Sequence, residues 1–153
     1  ERCAHVARII MSKGISFVRR SDQWDKRGNN FSVILLDTMG ELSEAYSICD
    51  IAFVGKSFIS PGGGHNLIEP IAQGKPVLFG PFVENNKHNA DELIKSGLGI
   101  QVNNADEIEV SVKSWLSSEG ERVKLEEKAK NFISYHQGAS QRMANLIESQ
   151  LQN

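Results

Sequence analysis

The sequence has few cysteines and no long apolar run. Its two cysteines, Cys3 and Cys49, stand far apart in apolar surroundings. This spacing argues against a disulfide-stapled scaffold and predicts two buried free thiols in a reducing compartment. No stretch of roughly 18 apolar residues occurs, so no segment of these residues is predicted to cross a bilayer as a helix.

Neither sign of charge dominates the chain. Its 17 Lys and Arg residues against 19 Asp and Glu residues give a formal net charge of −2. This balance argues against a dedicated nucleic-acid binder and against disorder, and the 40% hydrophobic share predicts a soluble domain with a core. Residues 1–27 are locally basic. They form either a solvated helix face and loop or a surface for an anionic lipid or acceptor.

Short apolar runs alternate with segments of helical periodicity. The runs predict strands at 15–18, 33–36, 51–54, 76–79 and 98–102, and the continuous run at 33–36 is of the kind buried on both faces. Helices are predicted at 1–13, 38–48, 67–73, 89–96, 105–116, 119–135 and beyond Gly138. The spacing of Thr38 and Glu41 predicts a capping box at the start of the second helix, and Asn89 is predicted to cap the fourth. Periodicity in 105–116 and 119–135 predicts inward side chains at Ile108, Val112, Trp115, Leu125, Ala129, Phe132 and Ile133. The alternation favours an α/β fold, a Rossmann-like parallel sheet with helices on both faces. Because the first strand of such a sheet is central and this chain opens on a helix, we expect a fragment that lacks its first strand.

One glycine-rich stretch links a predicted strand to a predicted helix. It reads Ser60-Pro61-Gly62-Gly63-Gly64-His65-Asn66. Glycines permit positive φ and close approach of a ligand, and a helix start presents unpaired N–H groups. We therefore predict a cradle of main-chain amides that binds a phosphate group. The loops 37–41, 55–66 and 80–88 each follow a strand, where ligands bind in such sheets.

Each residue of this stretch also has a structural interpretation. Gly63 and Gly64 could be turn glycines rather than points of ligand approach. His65 could be a structural histidine or a donor to phosphate or carboxylate. Asn66 could cap the helix, contact phosphate, or do both.

The polar residues around the stretch likewise have more than one interpretation. Glu69 has capping-box spacing from Asn66, yet a glutamate in the first helical turn can also accept hydrogen bonds from ribose hydroxyls. Lys56 could be solvated or could pair with an anion on the ligand. Asn85 lies in a polar loop that could close over a sugar. The sequence contains no Ser-His-Asp arrangement, zinc-type Cys/His cluster or P-loop.

The motifs together resemble the Kdo transferases, which add 3-deoxy-D-manno-octulosonic acid (Kdo) to lipid A. The resemblance rests on 63–70 (GGHNLIEP), 74–81 (GKPVLFGP), 37–42 (DTMGEL), 52–55 (AFVG) and the opening Glu1-Arg2. Three features depart from the family pattern. Position 62 makes the glycine run three residues long. Lys56 stands where a second glycine is usual, and Asn85 is followed by Asn86 rather than by phenylalanine.

The resemblance implies the C-terminal, donor-binding half of a GT-B glycosyltransferase. Residues 1–153 would form this domain, with 119–153 as C-terminal helices, while the acceptor site and general base would lie in an absent N-terminal domain. The donor would be CMP-Kdo, with no metal or other cofactor. The acceptor would be a lipid A precursor at the cytoplasmic face of the bacterial inner membrane, in lipopolysaccharide biosynthesis.

Motif and resemblance together nominate a set of donor-binding residues and no catalytic residue. Met39 and Gly40 would contact the cytosine. The full set is Met39, Gly40, Lys56, Gly63, Gly64, His65, Asn66, Glu69 and Asn85. Two alternatives stay open. One is another GT-B transferase or an epimerase that uses a UDP-sugar, and the other is a non-catalytic domain that binds a nucleotide or sugar phosphate.

Overall fold

The computed structural model of the protein describes residues 2–22 and 30–151. The chain divides into two compact units, residues 1–45 (the N-terminal unit) and 46–153 (the C-terminal unit). Part of the predicted basic segment, including Lys26 and Arg27, lies outside the described residues, as does Glu1.

In its described residues, 2–22 and 30–45, the N-terminal unit contains one full helix and two strands. Helix α1 covers Arg2–Ser12, and strands β1 (Phe17–Arg19) and β2 (Val33–Leu35) pair in parallel. The prediction that the β2 run is buried on both faces is wrong, because Ile34 is 45% exposed. The flanking residues Val33 and Leu35 are half-buried, so one face of β2 meets solvent.

The C-terminal unit is built on three parallel strands in the order β3 (Ala52–Val54), β4 (Val77–Phe79) and β5 (Gly99–Gln101). Helix α2 (Leu42–Ile48) precedes β3 and spans the division between the two units. The remaining helices are α3 (Ile68–Ala72), α4 (Lys87–Ser96), α5 (Ala105–Leu116), α6 (Glu119–His136) and α7 (Ala139–Leu151). Parallel strands alternating with helices confirm the predicted fold class.

The core of the C-terminal unit surrounds β4, in which all three residues are fully buried. Helices α5 and α6 bury the side chains that their periodicity predicted. The buried or partly buried members are Ile108, Val112, Trp115, Leu125, Ala129, Phe132 and Ile133. Apolar side chains at helical spacing bury one face of each helix, so this part of the core was readable from the sequence.

Two predicted helix starts are wrong. Thr38 and Glu41 do not form a capping box, because α2 begins at Leu42 and the Thr38 hydroxyl donates to the Glu41 carboxylate instead. Asn89 does not cap α4, because a 3₁₀ turn over Glu84–Asn86 leads directly into a helix that begins at Lys87. In both cases a neighbouring contact or turn moved the boundary by a few residues.

Both cysteines are free, as predicted, but they are half-buried rather than buried.

Met143 and Ile147 on helix α7 are more than half exposed, so the apolar side of this helix is not covered by the described residues. Within residues 2–22 and 30–151, no helix has the length and apolarity needed to cross a membrane.

Candidate functional site

Two loops meet at the carboxyl ends of β3 and β4. The glycine turn (residues 60–66) follows β3, and the facing loop (residues 80–86) follows β4. The fully buried Ser57 ties the two strand ends together: its hydroxyl donates to Val54 O and accepts from Gly80 N, each at 2.8 Å. Neighbouring parallel strands therefore bring both loops to one edge of the sheet, as the sequence predicted.

Gly62 has no side chain because no space exists for one. A Cβ at this position would lie 2.5 Å from Lys56 O and 3.2 Å from Phe82 Cβ. Its φ is not in the left-handed region, so the constraint here is packing alone.

Gly63 and Gly64 have φ of +71° and +68°, the left-handed conformation that the glycine run predicted. Their N–H groups are not free, however. Gly64 N donates to Lys56 O at 3.2 Å, and Gly63 N donates to Glu84 Oε2 at 3.2 Å. The prediction that these two amides are available to a ligand is therefore wrong for Gly64. The Gly63 N–H becomes available to a ligand only if its hydrogen bond to the Glu84 carboxylate breaks.

The next two residues keep their main-chain donors available. The N–H groups of His65 and Asn66 donate to no other residue that the structure describes, and both residues are exposed. The amides that can meet an anion therefore lie one and two positions beyond the glycines.

Asn66 is not the N-cap of α3, because Leu67 occupies that position and has no side-chain cap. Asn66 lies one residue earlier: its Oδ1 accepts from Ile68 N at 3.0 Å, and its Nδ2 donates to Glu69 Oε1 at 3.2 Å. Asn66 and Glu69 therefore interact through their side chains and do not form the capping box that their spacing suggested. Helix α3 has only five residues, so its macrodipole contributes little and the free amides matter more.

Glu69 is exposed beside the half-buried Tyr46. Burial raises the pKa of the Tyr46 phenol, and the nearby Glu69 carboxylate raises this pKa further. The Tyr46 phenol and the Glu69 carboxylate therefore lie close enough to interact electrostatically. Periodicity placed Tyr46 on a helix and gave no sign of this proximity.

The facing loop supplies two polar residues, Glu84 and Asn86, whose contacts sequence reasoning missed. Asn86 Nδ2 donates to Gly63 O at 3.3 Å and to His65 O at 3.1 Å, while Glu84 accepts the Gly63 N–H. The nominated residue Asn85 packs directly against Gly63, and a Cβ on Gly63 would overlap its side chain. These contacts join positions about twenty residues apart, which local patterns do not reveal.

Lys56 is exposed and has φ +62°, so it occupies a left-handed conformation that favours glycine. A glycine would adopt this backbone geometry without strain. A role for its ammonium group toward an anion stays a prediction.

Met39 and Gly40 belong to the N-terminal unit. Met39 is 97% exposed, and Gly40 has φ +86°. Nearby, Asp37 accepts hydrogen bonds from Ser21 N at 2.9 Å and from Ser21 Oγ at 2.7 Å, which lower the pKa of the Asp37 carboxyl. The assignment of Met39 and Gly40 to cytosine stays a prediction.

The opposite end of the same strands carries a pocket. It has a volume of about 240 Å³ and is lined by residues that include Asp50, Lys75, Arg122 and Glu126.

No group of three or more His, Cys, Asp or Glu side chains in the described ranges is arranged to hold a metal ion. Metal-free donor binding stays a prediction.

Comparison with known proteins adds independent evidence. The family model "Glycosyl transferases group 1" matches residues 12–132. The 3-deoxy-D-manno-octulosonic acid transferase of Haemophilus influenzae is 35% identical over 153 residues, which cover 99% of this chain and 35% of that protein. The enzyme of the same name from Chlamydia trachomatis serovar D is 32% identical over 151 residues, 99% of this chain and 34% of that protein.

A solved structure is also similar. It is the C-terminal CMP-Kdo binding domain of WaaA from Acinetobacter baumannii, with a TM-score of 0.75 and 27% identity over 86% of this chain and 68% of that one. The chain spans about a third of the length of the curated relatives. These findings confirm the resemblance to Kdo transferases that the motifs indicated. With the family match covering most of its length, the chain belongs to the group 1 glycosyl transferases.

Proposed function

We propose that this chain is the donor-binding domain of a Kdo transferase and that it binds CMP-Kdo at the glycine turn. One observation carries the proposal: the N–H groups of His65 and Asn66 meet no acceptor among the described residues, and both residues are exposed three to four positions before Glu69. This arrangement offers donors for a phosphate beside an acceptor for ribose. The similar Acinetobacter domain is a CMP-Kdo binding domain, which supports the choice of donor.

Each group has a defined role in this proposal. The His65 and Asn66 amides donate to the phosphate of CMP. The Glu69 carboxylate releases Asn66 Nδ2, now 3.2 Å away, and accepts hydrogen bonds from the ribose hydroxyls. Asn66 keeps its Oδ1 on Ile68 N, so the start of α3 stays fixed while the ligand binds.

The same groups would assist transfer as well as binding. When the bond to the sugar breaks, negative charge grows on the departing CMP phosphate. Fixed N–H dipoles already aimed at that charge stabilise it without reorganisation. Lys56, exposed at the base of the turn, adds a positive charge. The proposed step uses no metal ion.

The rest of the activity is assigned outside these residues. We place the acceptor site, the general base and the contact with the inner membrane in an N-terminal domain, with a lipid A precursor as acceptor. The 153 residues are then expected to bind the donor without transferring its sugar.

The test is calorimetric titration of CMP into the chain and its Glu69→Ala variant. We expect at least a tenfold loss of affinity, about 1.4 kcal/mol, because the ribose loses its acceptor. Asp91→Ala is the matched control, since Asp91 is an exposed acid on α4. Unchanged affinity in Glu69→Ala would remove Glu69 from the site.

A second candidate is a transferase or epimerase that uses a UDP-sugar. It is favoured only by the breadth of the family match, which does not specify the nucleotide. Thermal protection by UMP but not by CMP would select this candidate and reject CMP-Kdo.

A further inference from the structure

We infer that Asn86 is a positioning residue that aims the Asn66 N–H at the donor phosphate. The inference rests on the proposed function, since it concerns the same anion-binding turn. It assigns a role to a side chain that lies on the facing loop, outside both the glycine motif and the set nominated from the sequence.

The first step is the double contact made by Asn86. A single NH₂ group donates to two carbonyl oxygens, Gly63 O at 3.3 Å and His65 O at 3.1 Å. These carbonyls flank Gly64, whose φ of +68° and open backbone would otherwise allow several orientations. Asn86 therefore holds the turn at two points, one on each side of Gly64.

The second step follows from the planarity of the peptide bond. In a trans peptide the C=O and the following N–H point in opposite directions. Because Asn86 holds the His65 carbonyl, it directs the Asn66 N–H away from the facing loop. That N–H meets no acceptor among the described residues, and Asn66 is exposed. The contact thus leaves one donor fixed in direction and open to solvent.

The third step concerns the Gly63 carbonyl. Fixing it orients the Gly64 N–H, which donates to Lys56 O at 3.2 Å. Asn86 therefore separates the two amides: Gly64 is directed into the protein and Asn66 is directed outward. Asparagine suits this role because its NH₂ group has two hydrogens, one for each carbonyl.

The experiment compares CMP with cytidine, which lacks the phosphate. Asn86→Leu keeps the approximate size of the side chain but cannot donate, and Asn131→Leu repeats the change at an exposed site on α6. We expect Asn86→Leu to weaken CMP binding at least fivefold while the Kd for cytidine changes less than twofold. Asn131→Leu should change neither value.

A purely structural role would give a different result. If Asn86→Leu weakens CMP and cytidine equally, or weakens neither, the inference is overturned. Should this variant fail to fold, Asn86→Ala at the same half-exposed position removes the donor without adding bulk.

A second measurement separates this inference from the proposed function. Inorganic phosphate is titrated into ¹⁵N-labelled wild-type and variant chains while the Asn66 amide signal is followed. A phosphate-dependent shift that the variant loses supports the inference even if CMP is the wrong nucleotide. No shift in the wild type overturns the inference, whichever nucleotide binds.

Discussion

Alanine substitutions at three glycines separate two physical constraints on the glycine turn. A Cβ on Gly62 would press against the Ile59 and Lys56 carbonyl oxygens, which belong to the backbone and cannot rotate away. A Cβ on Gly64 would meet Val83 at an ordinary 3.4 Å, but its φ is +68°. Gly55 has neither problem, since nothing lies within 4 Å and its φ is not left-handed. Gly62→Ala therefore tests packing, Gly64→Ala tests conformation, and Gly55→Ala is the control.

The expected free-energy changes differ accordingly. Gly62→Ala should destabilise by about 3 kcal/mol, the upper part of the range for overpacking, because rigid atoms oppose it. Gly64→Ala should cost about 1–2 kcal/mol for the left-handed conformation. Gly55→Ala should be neutral or should stabilise by about 0.5 kcal/mol by restricting the unfolded chain.

Urea unfolding measures these differences. Trp115 is buried in the C-terminal unit. In a Trp24→Phe background its fluorescence follows that unit alone. A Gly62→Ala variant as stable as Gly55→Ala would refute the close packing of the turn on the Ile59 and Lys56 carbonyls.

Three further predictions follow from individual contacts. Glu84→Gln removes a negative charge beside the Gly63 N–H that would repel the CMP phosphate. The Kd for CMP should therefore fall about two- to fivefold at low salt, and an effect that persists in high salt would contradict this electrostatic origin. Lys56→Gly should stabilise by about 0.5–1 kcal/mol in urea unfolding by relieving the left-handed conformation, and lower stability would contradict it. Because the folded pKa of Asp37 lies below its unfolded value of about 3.9, the ionised carboxylate stabilises the folded state above that pH. This stabilisation is lost as the pH falls through the folded pKa. Asp37→Asn should therefore lose less stability between pH 5 and pH 3, and an unchanged loss would contradict the role of the Ser21 contacts.

The sequence predicted correctly those features that depend on residues close together along the chain. The limits of α5 were predicted without error because an asparagine cap and a regular apolar face define them: Asn104 Oδ1 accepts from Glu107 N at 2.9 Å. The left-handed conformation of Gly63 and Gly64 was readable for the same reason, since a run of glycines signals positive φ.

What the sequence did not reveal depends on distant contacts. The engagement of the Gly63 and Gly64 amides involves Glu84 and the Lys56 carbonyl, which meet them only after β3 and β4 pair. The role of Asn86 has the same origin. Exposure of Ile34 depends on how many elements cover a two-stranded sheet, which an apolar run cannot report.

The most direct measurement of the central claim is a crystal structure of the chain with CMP bound. We expect phosphate oxygens within hydrogen-bond distance of His65 N and Asn66 N, with the ribose hydroxyls on the Glu69 carboxylate. CMP bound at the opposite end of the strands, with its phosphate on Lys75 and Arg122, would contradict it.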